Sequence, residues 1–168
     1  FSEGTNLVLM NQVGGSGDIV YDGTSGILNC EGRLVMLLNS FEEDFRIFDT
    51  EAENKPFDVP FTTYKDRNSM LYKAACLGLR DYFHKNGYTK ACIGLSGGID
   101  SAVVACIAVG AFGKENVRVL LMPSPFTPND SVEDAKRLAE NLGVEYSVLP
   151  IIEAHNAMVG TLQPALGG

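Results

Sequence analysis

Residues 94–101 read Gly-Leu-Ser-Gly-Gly-Ile-Asp-Ser. The apolar run Ala91–Leu95 leads into them as a short buried strand, and Asp100–Phe112 leaves them with Ala, Val and Ile at helical spacing until Gly113. A strand, a glycine turn and a helix together make an anion site. The first N–H groups of a helix lack internal partners and lie at the positive end of its dipole, so a phosphate placed there meets donors and field together. Gly97 and Gly98 allow close backbone approach to a ligand and a turn that other residues resist.

The details separate this turn from other phosphate loops. No Gly-Lys-Ser or Gly-Lys-Thr closes it, and its glycine spacing does not match the dinucleotide fingerprint. It carries instead Ser96 before the glycine pair, Ser101 opening the helix and Asp100 beside it. Two hydroxyls suit phosphate oxygens, whereas a carboxylate beside phosphates makes sense when a cation such as Mg²⁺ bridges the two. The plainer alternative is a turn in which Asp100 or Ser101 only caps the helix.

Upstream, Asn6–Gln12, Ile19–Asp22, Ser25–Asn29, Arg33–Leu38 and Asp44–Asp49 read as the short strands of a meander, parted by turn signals such as Gly14-Gly15-Ser16-Gly17. Residues 50–63 are polar and broken by Pro56 and Pro60, the composition of a linker. A helix then runs from a cap at Asn68 or Ser69 to Gly87, with Leu71, Ala75, Gly78, Leu79, Tyr82 and Phe83 at helical spacing. His84 near its end has a structural role. Downstream come a strand over Val117–Met122, a loop over Pro123–Asn129, a helix started by a capping box of Ser131 and Asp134 and closed by Gly143, a strand over Val144–Leu149, and a helix over Glu153–Leu162. Strands alternating with helices predict an α/β fold, a parallel sheet with right-handed crossovers and helices on both faces. Ligands then lie at the carboxyl ends of the strands.

Composition narrows the function. The chain has 168 residues, 45% of them hydrophobic, with a formal net charge of −8. Residues 1–60 hold 11 acidic and three basic side chains, and the remainder ten of each. Neither part carries the basic patch that nucleic acid requires. No run approaches the roughly 18 apolar residues of a membrane span, and the N-terminus lacks the pattern of a signal peptide. Cys30, Cys76, Cys92 and Cys106 are scattered and read as reduced core cysteines of a cytoplasmic protein, not as a metal or disulfide set.

Ser96–Ser101 resembles the pyrophosphatase loop of the ATP-pyrophosphatase superfamily, which includes NAD, GMP and asparagine synthetases and several tRNA-modifying enzymes. The strings Leu121–Thr127 (Leu-Met-Pro-Ser-Pro-Phe-Thr) and Ser131–Gly143 (Ser-Val-Glu-Asp-Ala-Lys-Arg-Leu-Ala-Glu-Asn-Leu-Gly) are similar to the second strand, loop and helix of the glutamine-dependent NAD synthetases. Asn11–Gly15, Asp22–Gly26 and Phe41–Asp44 resemble the C-terminal part of a nitrilase-type amidohydrolase, the glutaminase of those synthetases. The resemblance implies a nitrilase-like tail over 1–50, a linker over 51–63, and over 64–168 the N-terminal part of a synthetase domain of adenine nucleotide alpha hydrolase-like fold.

The resemblance also implies the chemistry, that of a carbon–nitrogen ligase. ATP is expected on Gly94, Leu95, Ser96, Gly97, Gly98, Ile99, Asp100 and Ser101, with Mg²⁺ on Asp100 and the adenine near Leu121 and Met122. Met122 suits plain core equally well, and Pro125 stands where some members carry a basic residue. The carboxylate of nicotinic acid adenine dinucleotide is adenylated with loss of pyrophosphate, and ammonia released from glutamine then displaces AMP to give NAD. No catalytic residue is carried over: the glutaminase Cys, Glu and Lys motifs lie upstream of Phe1, and Cys30 sits in a hairpin turn, the wrong context for an activated thiol. A further metal-ligating carboxylate and the dinucleotide-binding residues lie beyond Gly168. The chain thus reads as a piece of a longer, homo-oligomeric enzyme, expected on its own to bind ATP weakly and turn over nothing. Two rivals remain, a GMP synthetase-like enzyme, disfavoured by the nitrilase-like segment, and a non-catalytic ATP-binding module of the universal stress kind.

Overall fold

Val117, Val119 and Leu121 are 3%, 0% and 2% exposed, while Arg118 between them is open to solvent. This period-two burial marks a strand with one covered face. The computed structural model describes residues 5–50 and 67–166, which fall into two compact units divided after Asn86.

The second unit is a parallel three-stranded sheet of β6 (Ala91–Gly94), β7 (Val117–Leu121) and β8 (Glu145–Val148), with β7 central. Helix α2 (Ile99–Phe112) links β6 to β7 and helix α3 (Asn129–Leu142) links β7 to β8. The two helices contact each other as well as β7, so both lie over the Val117, Val119 and Leu121 face. Of the helices predicted on both faces, the described residues place these two on one. Their buried positions are alanines, Ala105 and Ala108 on α2 and Ala135 and Ala139 on α3, which lets the helix axes approach closely. On the other face Arg118 pairs with Glu145 at 3.1 Å. Gly113 (φ 78°) ends α2 and Gly143, left-handed at φ 67°, ends α3 as the sequence predicts. Helix α4 (Ile152–Leu166) follows β8.

The capping box does not form. Helix α3 begins at Asn129, with Pro128 at its N-cap position and no side-chain cap. Pro128, at φ −61°, already holds a helix-compatible angle, so the helix starts early and Ser131 falls inside its first turn. Asp134 pairs instead with Arg137 at 2.7 Å.

In the first unit the strands are not a simple meander. β1 (Leu7–Leu9), β4 (Gly26–Leu28) and β5 (Leu34–Leu37) form one antiparallel sheet in the order β1-β4-β5, while β2 (Val13–Ser16) and β3 (Ile19–Asp22) form a separate hairpin. Of the glycines in the predicted turn, Gly14 and Gly15 belong to strand β2, while Gly17 (φ 59°) stands in the turn between β2 and β3. Gly14 holds φ +124° there, where an added Cβ would lie 2.8 Å from Asp81 Oδ2, and at Gly15 one would come into ordinary contact with the Gly78 backbone at 3.4 Å. The helix they face is α1 (Arg67–Lys85), which therefore belongs by contact with the hairpin. Asp81 Oδ2 accepts the Gly15 N–H at 2.8 Å, and Lys85 Nζ donates to the Gly15 carbonyl.

Four smaller expectations also change. Asn68 and Ser69 lie within α1 and not at its cap, and the predicted linker falls outside the described residues apart from Thr50. The inward residue of α1 is Leu77 (5% exposed), whereas Leu71 and Tyr82 are more than half exposed. No strand forms over Asp44–Asp49, where Asp44 accepts the Asn39 N–H at 3.0 Å and pairs with Arg46, local bonds that replace a ladder. The Asn39 amide, ahead of the Arg46 charge, holds the Asp44 carboxyl below its ordinary range. The cysteines are not core: Cys30 and Cys92 are exposed, Cys76 and Cys106 half-buried. Burial nonetheless pushes the Cys76 thiol up, the direction of an unreactive group. Among the described residues no helix is long and apolar enough to cross a membrane.

Replacing Asp81 by Ala removes the carboxylate that holds Gly15, a charge-assisted hydrogen bond. The expected cost is about 1.5–3 kcal/mol, read as a lower urea midpoint for the unfolding of the first unit.

Candidate functional site

The site is assembled where β6 and β7 end. Leu95, 4% exposed, donates its N–H to Leu120 O at 2.9 Å and so carries the parallel pairing one residue past Gly94. From this anchor the chain turns through Ser96, Gly97 and Gly98 into α2. Gly97 has φ +82°, and a Cβ there would fall 2.2 Å from the carbonyl oxygen of Ser131. The turn therefore rests directly on the backbone of α3. Gly98 is the N-cap position, extended at φ −86°.

Two serine hydroxyls hold the turn closed. Ser101 Oγ accepts the Ser96 N–H at 3.2 Å and donates to Gly98 O at 3.0 Å. Its one proton is thereby used, so in the Ser96 Oγ–Ser101 Oγ contact of 2.9 Å it is Ser96 that donates. Ser96 Oγ in turn accepts the Gly98 N–H at 3.3 Å. No side chain caps α2, so neither Asp100 nor Ser101 plays the plain capping role. Among the described residues the amides of Ile99, Asp100 and Ser101 have no carbonyl acceptor, the ordinary state of a helix's first turn. Asp100 is exposed in that turn and, among the described residues, has no hydrogen bond or ion pair.

Beside the turn lies a notch of about 90 Å³ lined by Leu95, Ser96, Leu121, Met122, Pro123, Thr127, Ser131 and Val132. Complete ligand sites run to roughly 300–1,000 Å³, so this notch takes one moiety of a ligand whose remainder lies in the open. Met122 is 48% exposed and is not core; its Cε lies 3.2 Å from where a Gly94 Cβ would stand, so the thioether lies over Gly94. Leu121 is core by side chain, and its carbonyl accepts the Leu149 N–H at 2.7 Å. The structure thus brings Leu95, Ser96, Leu121 and Met122 together in the notch, with Gly97–Ser101 adjoining through the turn. It adds Pro123, Thr127, Ser131 and Val132, which sequence reasoning did not select. Their sequence signals are position, after a strand that ends at the ligand-bearing edge, and membership of the strings 121–127 and 131–143 that carry the resemblance.

The loop over this notch is internally tied. Ser124 N–H donates to Thr127 Oγ1 at 2.9 Å, Thr127 N–H returns to Ser124 O at 3.1 Å, and the two hydroxyls lie 3.0 Å apart. Phe126 N–H donates to Ser124 Oγ at 3.2 Å. Among the described residues no group of three or more His, Cys, Asp or Glu side chains could hold a metal ion, so the Asp100 carboxylate beside the free amides belongs to no such cluster.

A strand, glycine turn and helix at the carboxyl edge of a parallel sheet is the arrangement found in α/β units that bind nucleotides. A family model described as NAD synthase matches residues 71–166, more than half of the 168, and the chain belongs to the NAD synthase family. The glutamine-dependent NAD(+) synthetase of Synechocystis sp. is 41% identical over 151 residues, 86% of this chain and 26% of that relative. That of Aquifex aeolicus is 38% identical over 183 residues, 90% of this chain and 32% of the relative. The chain therefore spans about a quarter to a third of the length of these relatives. A solved glutamine-dependent NAD⁺ synthetase from Acinetobacter baumannii, in complex with ADP, superposes with a TM-score of 0.87 at 36% identity, covering 98% of this chain and 32% of that one.

Gly97→Ala adds left-handed strain of about 1–2 kcal/mol and a clash with the Ser131 backbone. A fall of about 4–8 °C in thermal midpoint is expected. Gly98→Ala, with φ −86° and nothing nearer its Cβ than Ser96 Oγ at 3.5 Å, is expected to cost less than half as much.

Proposed function

We propose that this chain supplies the ATP phosphate turn of a glutamine-dependent NAD synthetase. The observation that carries the reading is the pairing, in one helical turn, of amides at Ile99, Asp100 and Ser101 with the Asp100 carboxylate, all without a partner among the described residues. Amides alone suit any anion. A carboxylate beside them repels one unless a cation intervenes, so the donor set fits a magnesium–phosphate complex better than bare phosphate.

Asp100 would hold Mg²⁺, which when bound neutralises phosphate charge and draws out pyrophosphate as a leaving group. The amides of Ile99 to Ser101 receive the terminal phosphate oxygens at the positive end of α2. Ser96 and Ser101 can each swing a proton from its internal partner to a phosphate oxygen. The notch at Leu95, Leu121 and Met122 receives an apolar ring face, with the exposed Met122 thioether as its soft wall. The Acinetobacter baumannii relative in complex with ADP supports nucleotide binding.

The reaction proposed for the whole enzyme proceeds in two displacements. A carboxylate oxygen of nicotinic acid adenine dinucleotide attacks the α-phosphorus of ATP, and the bond to the bridging oxygen breaks to release pyrophosphate. Ammonia, released from glutamine elsewhere in the enzyme, then attacks the acyl carbon, loses protons and expels AMP to leave the amide of NAD. A site that grips the outgoing pyrophosphate favours the first step, because negative charge builds on the β-phosphate as the bond breaks. The domain division proposed with this reading is a nitrilase-like tail over 1–50, a linker over 51–63 and a synthetase part over 64–168.

In the full-length protein, pyrophosphate release is expected to require both Mg-ATP and nicotinic acid adenine dinucleotide. Asp100→Asn is expected to lower that turnover at least about a hundredfold with an unchanged circular dichroism spectrum and thermal midpoint. Full activity of the variant overturns the role of Asp100, and pyrophosphate release without the dinucleotide overturns the assigned substrate.

A further inference from the structure

We infer that Thr127 is a positioning residue for the nucleotide, acting through the loop between β7 and α3; the inference rests on the proposed ATP site. Three observations lead to it. Thr127 lines the notch, and its hydroxyl is engaged within its own loop, accepting the Ser124 N–H at 2.9 Å and meeting Ser124 Oγ at 3.0 Å. With the return bond from Thr127 N–H to Ser124 O, these contacts close residues 124–127 into one rigid turn. Pro128 follows at once, and its carbonyl accepts the Ser131 N–H at 3.1 Å. Ser131 is the residue whose backbone abuts Gly97.

The chain of contacts therefore runs from the Thr127 hydroxyl, through Pro128 and the first turn of α3, to the glycine turn that presents the free amides. Each link is backbone or a short, bonded side chain, so displacement at one end is passed on and not absorbed. Ser124 and Thr127 also fix the wall of the notch itself. One hydroxyl thus sets the spacing between the place for the ring and the place for the phosphates. A ligand bridging both binds well only when that spacing is held before it arrives. The conservative replacement distinguishes this role from mere packing: serine keeps the hydroxyl and loses the methyl, whereas valine keeps the volume and loses the acceptor.

The test uses the full-length protein and titration calorimetry with Mg-ATP, alongside steady-state kinetics. Thr127→Val is expected to raise the Kd and the KM for Mg-ATP about tenfold while kcat at saturating ATP stays within about twofold. Thr127→Ser is expected to bind within about twofold of wild type. Should Thr127→Val not fold, Ser124→Ala carries the test: it removes the hydroxyl pair and the acceptor for Phe126, and a Kd raised several-fold is expected. The inference is overturned if wild type binds Mg-ATP and Thr127→Val, or Ser124→Ala in its place, binds as well. It is also overturned if the serine variant is as weak as the valine one. Failure of wild type to bind Mg-ATP overturns the ATP site itself, and the positioning role with it.

Discussion

A first side-chain carbon at position 97 would stand 2.2 Å from the Ser131 carbonyl oxygen. Contact at that distance is possible only when one partner has no side chain, so the turn after β6 and the first turn of α3 meet backbone to backbone. The remainder of the second unit is consistent with this single approach. Helix α3 must lie close to the sheet, and its inward positions are Ala135 and Ala139; α2 must fit beside it, and its inward positions are Ala105 and Ala108. Pro128 starts α3 early enough to bring Ser131 to the turn, and Gly143 stops it in time for β8 to pair with β7.

The electrostatics of the same edge are unusual for a phosphate site. Residues 94–101 and 121–132 contain no Lys or Arg. Within these segments the attraction for an anion comes from peptide dipoles and hydroxyls, and the formal charge on the turn, Asp100, has the wrong sign for a bare phosphate. On the reading proposed, a nucleotide is welcome there only with its charge partly neutralised, so the metal contributes to selection as well as to chemistry.

Legibility in the sequence followed the reach of the interactions. The strand–turn–helix at 91–112 is encoded by neighbours, and it was readable down to Gly113; strand Ile19–Asp22 and the closing Gly143 were readable for the same reason. Gly14 and Gly15 read as a turn because glycine usually marks one, but the partner that holds the Gly15 amide in the strand, Asp81, lies 66 residues further on. Ser131 and Asp134 fit a capping box by spacing, and Pro128, three residues earlier, had already set the helix start. The roles of Ser96 and Ser101 as staples of the turn, and the part of Thr127 and Ser131 in the notch, depend on proton directions and tertiary distances that no local pattern carries.

The seating of α1 bears on how such a protein can be dissected. Gly78 lies so near the β2–β3 hairpin that an added Cβ would be 2.9 Å from Val20 Cγ2, and Leu77 is 5% exposed. The family match nevertheless begins at Leu71, inside this helix. A gene cut in the proline-broken stretch before α1 would send the helix away with the downstream piece, baring the glycine-lined trough it leaves and the apolar stripe it carries. Expression boundaries chosen by homology alone would thus create two sticky products, whereas a cut after Asn86 leaves the helix in its cradle.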